Sequence, residues 1–330
     1  MTARRAFLMA GGAGLSLLAA PVVSVAQQKG KIWRIGFFYL GSRELALDRY
    51  GIFLEGMREL GYTEGRNFVV EMRPADAQYE RLPGIAAELV QLKVDVIVAN
   101  GTFIYRTLQK ATSTIPIVIT TSPDPVKEGF AKSLARPGGN ITGLSTGNAE
   151  IAPKYVELMH LAMPKLSRLA VLMNTTNVGH PGQLAIVRSA ARKAGMTLIE
   201  VDAHNSDEID RGFRKFVDNR AEGVIAFGDT FFSQQMRQIV ELAIRHRLPS
   251  LFTTPEYAAA GGFLSYGPDT RELFRRAAFY VDKIFKGAKP GDLPIELPTK
   301  FELIVNRKTG NRLGLVIPQE LILRADRVIE

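Results

Sequence analysis

The stretch VDVIVANGT at 94–102 is nearly rewritten as EGVIAFGDT at 222–230. Each is a short apolar run that finishes in a small polar tip ending in Thr. Such a run bounded by turn residues reads as a buried strand, so the chain writes one strand ending twice. Other pairs follow in the same order. KIWRIGFFYLGS from Lys31 aligns with KLSRLAVLMNTT from Lys165, setting Arg34 against Arg168 and Ser42 against Thr176. Gly61-Tyr62 falls on Gly195-Met196, and FVVEMR from Phe68 on TLIEVD from Thr197. IPIVITT from Ile115 falls on LPSLFTT from Leu248, which sets Pro116 against Pro249 and Thr121 against Thr254. The spacing drifts only between the matched runs, where loops tolerate insertions. Ordered matches of this kind predict a duplicated unit, and 330 residues are enough for two.

Within each copy, strand and helix patterns alternate. IWRIGFFYL reads as a strand, followed by ELALDRYGIFLEGMRELG with apolar residues at helical spacing and Gly61 as its stop. NFVVEMRPA, VDVIVAN and IPIVITTS read as strands, with RLPGIAAELVQLK and TFIYRTLQKAT as the helices between them. This alternation predicts an α/β fold of two doubly wound, Rossmann-like lobes, each a mostly parallel sheet covered on both faces. In open sheets of this kind ligands lie beyond the carboxyl ends of the strands. Two facing lobes would line one cleft with those ends and close on a ligand by hinge motion.

Composition narrows the chemistry. The chain has no Cys, which excludes a disulfide, a thiolate metal site, a Cys nucleophile and a lipid-modified Cys anchor. Four His occur, none in an HExxH pattern. Net charge is +9, but Lys and Arg are spread among acids, as in DNRAEG, so solvated faces rather than nucleic-acid binding are expected. No strand is followed by GxGxxG, no GxxxxGK[ST] occurs and no GxSxG elbow is read. No catalytic residue, metal site or cofactor is expected. The competing reading is an exported α/β enzyme acting on a small molecule in the same cleft.

The first residues, MTARRAFLMAGGAGLSLLAAPVVSVAQQ, have a charged start, an apolar stretch and a small-residue site ending at Ala26. Residues 1–26 are read as a signal peptide. Arg4 and Arg5 followed by Phe7 and Leu8 resemble a twin-arginine signal, with a Sec signal as the alternative. The stretch is short for a membrane anchor. A periplasmic, monomeric protein is expected.

Strand-end residues are the candidate ligand contacts. The first copy offers Ser42, Asn100, Thr102, Thr121 and Ser122; the second offers Asn174, Thr176, Asp229, Thr230 and Thr254. Helix capping is the competing role for their side chains. Tyr39, Phe103, Tyr105, Phe231 and Tyr257 could stack on an aromatic ligand or pack in the core, whereas Phe38 and Phe227 read as core. Glu256 and Tyr266 are further cleft candidates. Asp229 replaces the matching Gly101 and favours a cation, while Arg106 on the facing helix start favours an anion. A zwitterionic amino acid would satisfy both, its carboxylate held by hydroxyls and helix N-terminal N–H groups.

Four stretches carry a resemblance: GMRELGYTEGRNFVVEMRPADAQYERLPGIAAELVQLKVDVIVANGT, ATSTIPIVITTSPDPVKEGFAKSLARPGGNITGLS, AAGGFLSYGPDTRELFRRAAFYVDKIFKGAKPGDLPIELPTKFELIVN and LGLVIPQELILRADRVIE. The chain is similar to exported solute-binding proteins of ABC transporters with a type I periplasmic-binding fold, in the family that includes tryptophan- and tyrosine-linked binding proteins. The resemblance implies a small-molecule ligand, a permease with its ATPase as partners, and a multi-strand hinge. It implies residues 27–144 plus 264–298 as the first lobe and 145–263 plus 299–330 as the second. It also gives the glycines at 138, 139, 261 and 262 a hinge role, for which ordinary turns are the alternative. Where relatives commonly have GTPAA, this chain has GTFIYR, which changes the wall that Phe103 and Tyr105 would offer.

Overall fold

The computed structural model describes residues 31–330; the N-terminal segment read as a signal lies outside them. The chain begins with β1 (Trp33–Tyr39), α1 (Arg43–Glu59), β2 (Phe68–Pro74), α2 (Leu82–Gln91), β3 (Val96–Asn100), α3 (Thr102–Ala111), β4 (Ile117–Ser122) and β5 (Ile141–Ser145). After α4 (Asn148–Ala162) come β6 (Arg168–Met173), α5 (His180–Lys193), β7 (Thr197–Asp202), α6 (Ser206–Asp218) and β8 (Gly223–Ala226). Then follow α7 (Thr230–Gln234), α8 (Met236–Arg245), β9 (Ser250–Phe252), α9 (Glu256–Ala259) and β10 (Leu264–Pro268). The chain closes with α10 (Thr270–Phe285), β11 (Phe301–Asn306), α11 (Arg307–Arg312), α12 (Gln319–Arg324) and β12 (Arg327–Ile329).

Two sheets result. The first has the order β2-β1-β3-β4-β5 and the second β12-β11-β10-β9-β8-β6-β7. The run β7-β6-β8-β9-β10 repeats the order of the first sheet strand for strand, so the duplication in the sequence is a duplication of topology. All pairings are parallel except β10 with β11. Each sheet is covered on both faces. Phe37, Val98 and Val118 point to one side of the first, and Phe38, Ile97 and Ile119 to the other, each with its own cluster of buried side chains. The second sheet divides in the same way, with Val171 and Ile225 on one side and Leu172 and Ala226 on the other. Period-two burial on both faces is why these strands read as nearly continuous apolar runs.

The fifth strand of each copy hands its helix to the other copy. After β5, α4 packs against α5 of the second lobe; after β10, α10 packs against α1 and β4 of the first. The chain returns through the segment before β11, where Glu296 bridges Leu144 of β5. One boundary therefore needs correction. Residues 264–268, expected in the first lobe, are β10 and pair with β9 and β11 in the second sheet, so the crossing falls after Pro268. The first two crossings fall beyond the carboxyl end of a strand, because the helix that follows is what swaps. The glycines at 138, 139, 261 and 262 precede β5 and β10 rather than following them, and Gly138 and Gly261 adopt positive φ.

Candidate functional site

The carboxyl ends of β1, β3 and β4 face those of β8 and β9 across a cavity of about 360 Å³, with the segments after β5 and β10 at the hinge end. Asn100, Thr102 and Thr121 enter it from the first lobe, and Asp229, Thr230 and Thr254 from the second. Their placement follows the strand-end rule of doubly wound sheets.

Asp229 shows how the local sequence builds the site. It is the N-cap of α7, and its Oδ1 accepts from Phe231 N (2.9 Å), Phe232 N (3.4 Å) and Asn174 Nδ2 (3.3 Å). Asn177 Nδ2 donates to Oδ2 at 3.0 Å. A carboxylate offers about four lone-pair sites, so Oδ2 keeps room for one more donor on the cavity side. Behind it, His180 ties two strand ends together. Its Nδ1 accepts from Asn174 N (2.9 Å), which leaves the proton on Nε2 to donate to Gly228 O (3.1 Å). Burial pushes the His180 imidazole down, so it stays neutral.

Opposite Asp229 the first lobe presents the start of α3. Its N-cap is Gly101 at φ 114, which no side chain tolerates well, and no side chain caps the helix. The first-turn N–H groups therefore end at the cavity without a side-chain acceptor, which makes this helix end attractive to an anion. Asn100 Nδ2 donates to Thr120 Oγ1 (3.0 Å) and Thr121 Oγ1 (2.8 Å), fixing the neighbouring hydroxyls.

The other expected contacts stand back from the cavity. Tyr105 is fully buried behind Thr121, its hydroxyl accepting from Thr121 N at 3.1 Å. Ser122 Oγ donates to Glu128 Oε2 at 2.6 Å, also buried. Ser42 caps α1 by accepting from Leu45 N. Asn174 supports Asp229, and Thr176 N donates to Asn174 Oδ1 at 3.1 Å. Phe231 and Tyr257 are core, Tyr257 stacking on Phe252 at 4.3 Å, and Phe103 packs on Tyr79 at 4.7 Å. Tyr39 alone of the aromatic candidates lines the cavity, beside Phe274 of α10. Arg106 does not reach it. One turn into α3, its guanidinium donates to Glu128 O at 3.1 Å and lies 5.5 Å from the Phe130 ring centroid.

The cation at the site is instead Arg49 of α1, which the sequence reading missed. Its Nη2 meets Glu256 Oε1 of the second lobe at 2.8 Å, and Thr270 donates to the same oxygen. Burial pushes the Glu256 carboxyl up, but Arg49 and the hydrogen bonds hold it below the ordinary carboxylate value. Arg49 is thus already engaged across the lobes. Thr146 and Asn148, beyond β5, were also missed. The matched pairs stop at the fourth strand; carrying the same strand-end rule to the fifth would have found them.

Gly143-Leu144-Ser145-Thr146-Gly147 does spell a GxSxG elbow at a strand-to-helix junction. Ser145 is nevertheless fully buried, and its Oγ donates to Ser122 O at 2.7 Å while accepting from Gly147 N. It is a structural serine of the crossing. Among the described residues no group of acids and His is arranged to hold a metal, and no helix is long and apolar enough to cross a membrane.

A family model described as ABC transporter substrate binding protein matches residues 43–329. A tyrosine-binding protein of Clostridioides difficile is 26% identical over 263 residues, covering 80% of this chain and 75% of that one. A conserved domain protein of Vibrio cholerae, 25% identical, superposes with a TM-score of 0.85 over 90% of this chain and 100% of its own. An ABC domain from Streptococcus pneumoniae in complex with L-Trp gives 0.84 at 23% identity, covering 91% of this chain and 100% of that one.

Proposed function

The chain belongs to the family of ABC transporter substrate-binding proteins, and from that premise we propose that it captures an amino acid, most simply an aromatic one, between its lobes for an ABC importer. One observation carries the choice of ligand. The Asp229 carboxylate, with Oδ2 open to one more donor, faces the uncapped start of α3 across a cavity of about 360 Å³. An ammonium suits the first and a carboxylate the second. Tyr39 and Phe274 give an apolar wall for the side chain. The tyrosine-binding relative and the L-Trp complex support the same class of ligand.

The ligand is passed to a permease and its ATPase, and the protein works as a monomer outside the cytoplasm. Residues 1–26 are its export signal, by the twin-arginine route; the N-terminal sequence of exported protein should begin after Ala26.

Titration calorimetry on Asp229→Asn tests the ligand. Asn caps a helix about as well as Asp, so α7 is kept while the charge and the acceptor at Oδ2 go. Losing a charge-assisted hydrogen bond costs about 1.5–3 kcal/mol, so L-tryptophan or L-tyrosine should bind ten- to over a hundredfold more weakly, while the deaminated acids keep their affinity. Equal effects on both would remove Asp229 from the site.

A further inference from the structure

Three polar atoms at the hinge end of the cavity have no protein partner: Thr146 Oγ1, Asn148 Oδ1 and Thr253 Oγ1. Their residues are 7%, 6% and 2% exposed, and all three line the cavity. They come from different elements. Thr146 and Asn148 lie on the crossing from β5 to α4, and Thr253 directly follows β9. Gly228 leaves the space between them. A Cβ there would stand 2.6 Å from Thr253 Oγ1 and 3.8 Å from Asn148 Nδ2.

Buried polar atoms are nearly always paired, and several polar strand-end residues nearby are. Asn100, Thr120, Thr121, Asn174 and Asn177 all have partners. Thr253 Oγ1 and the Asn148 amide lie beside Gly228, and all three residues line the hinge end of the cavity. None is charged. Asn148 Oδ1 accepts, and each hydroxyl both donates and accepts. The group that fits is therefore neutral and can donate one hydrogen bond while accepting others. A hydroxyl does this. An alkyl group does neither, and a carboxylate could accept from the two hydroxyls and from Asn148 Nδ2 but would leave Asn148 Oδ1 unpaired.

We propose that Thr146, Asn148 and Thr253 form a polar floor that selects ligands carrying a neutral hydroxyl on the side chain, over analogues lacking it. This rests on the amino-acid reading for the rest of the ligand, with Asp229 taking the ammonium nearer the centre of the cleft. A site built to bond a hydroxyl discriminates strongly against its absence, because its buried atoms are then left unpaired.

The test uses two pairs that differ by one hydroxyl, L-tyrosine against L-phenylalanine and 4-hydroxyphenylacetate against phenylacetate, titrated calorimetrically into the full mature chain. The hydroxylated member of a pair should bind at least about tenfold more tightly. In Thr253→Val, which keeps the side-chain shape, and in Thr146→Val, that ratio should fall toward one while the unhydroxylated member binds as before. A ratio near one in the unaltered protein, or one that both variants leave unchanged, overturns the floor. If only the acids without an amino group bind and show the ratio, the floor stands and the amino-acid reading falls. If none of the four binds, both fall.

Discussion

Glu128 is a carboxyl placed where charge is costly. It lies on the loop after β4, and its Oε1 has no partner. A Cβ at Gly179 of the second lobe would stand 2.9 Å from that oxygen, so the facing lobe covers it. Burial pushes the Glu128 carboxyl from 4.5 up to about 7, against the opposing pull of the Ser122 hydrogen bond and Arg106. Asp124, the other charge acting on it, adds to the rise. Opening the lobes would return it to water and to the ordinary value. Closure then takes up a proton between the two values. Ligand affinity should fall as pH rises from about 4.5 to about 7, by at most tenfold per unit, and flatten above. Glu128→Gln should remove that slope in calorimetry across the range; an unchanged slope would place the titrating group elsewhere. At this scale sequence reading divided by residue type. Asp229 was legible because it breaks the match with Gly101 at a strand tip. Arg49 was not, because it sits mid-helix in α1 and becomes a site residue only when the second lobe brings Glu256 to it.

The elements were legible wherever apolar periodicity decides them. β1 to β4 and α1 to α3 fall where alternation and helical spacing place them, because each buries a complete apolar face. What strand tips do was less legible, since a hydroxyl after a strand serves a helix N-terminus and a ligand equally well. Ser42 shows the outcome. Its side chain accepts from Leu45 N at 3.4 Å and does not line the cavity. Ser42→Ala should therefore lower stability by about 1 kcal/mol, the usual worth of an N-cap, and leave ligand affinity unchanged. Thermal unfolding together with calorimetry checks both halves, and a loss of affinity without a loss of stability would return Ser42 to the site. The swap of α4 and α10 was not legible as geometry from the pattern alone. A helix after a fifth strand looks the same whether it covers its own sheet or its neighbour's, and here tertiary packing on α5 and α1 decides.

At the scale of the whole molecule, duplication supplies two jaws and the swapped helices join them at one end. Contacts across the jaws support a closed arrangement. Arg49 meets Glu256, Gln234 lies against Gly41, and Glu128 with Pro123 lies against Gly179. Closing the lobes takes Arg49 out of water, and its ion pair with Glu256 offsets that cost rather than driving closure. The central claim is that these jaws close on a ligand held from both sides. Small-angle scattering of the mature chain, alone and saturated with the amino acid that calorimetry shows to bind, tests it most directly. The radius of gyration should fall on saturation and rise again when the ligand is dialysed away. An unchanged radius at proven one-to-one saturation would contradict the account.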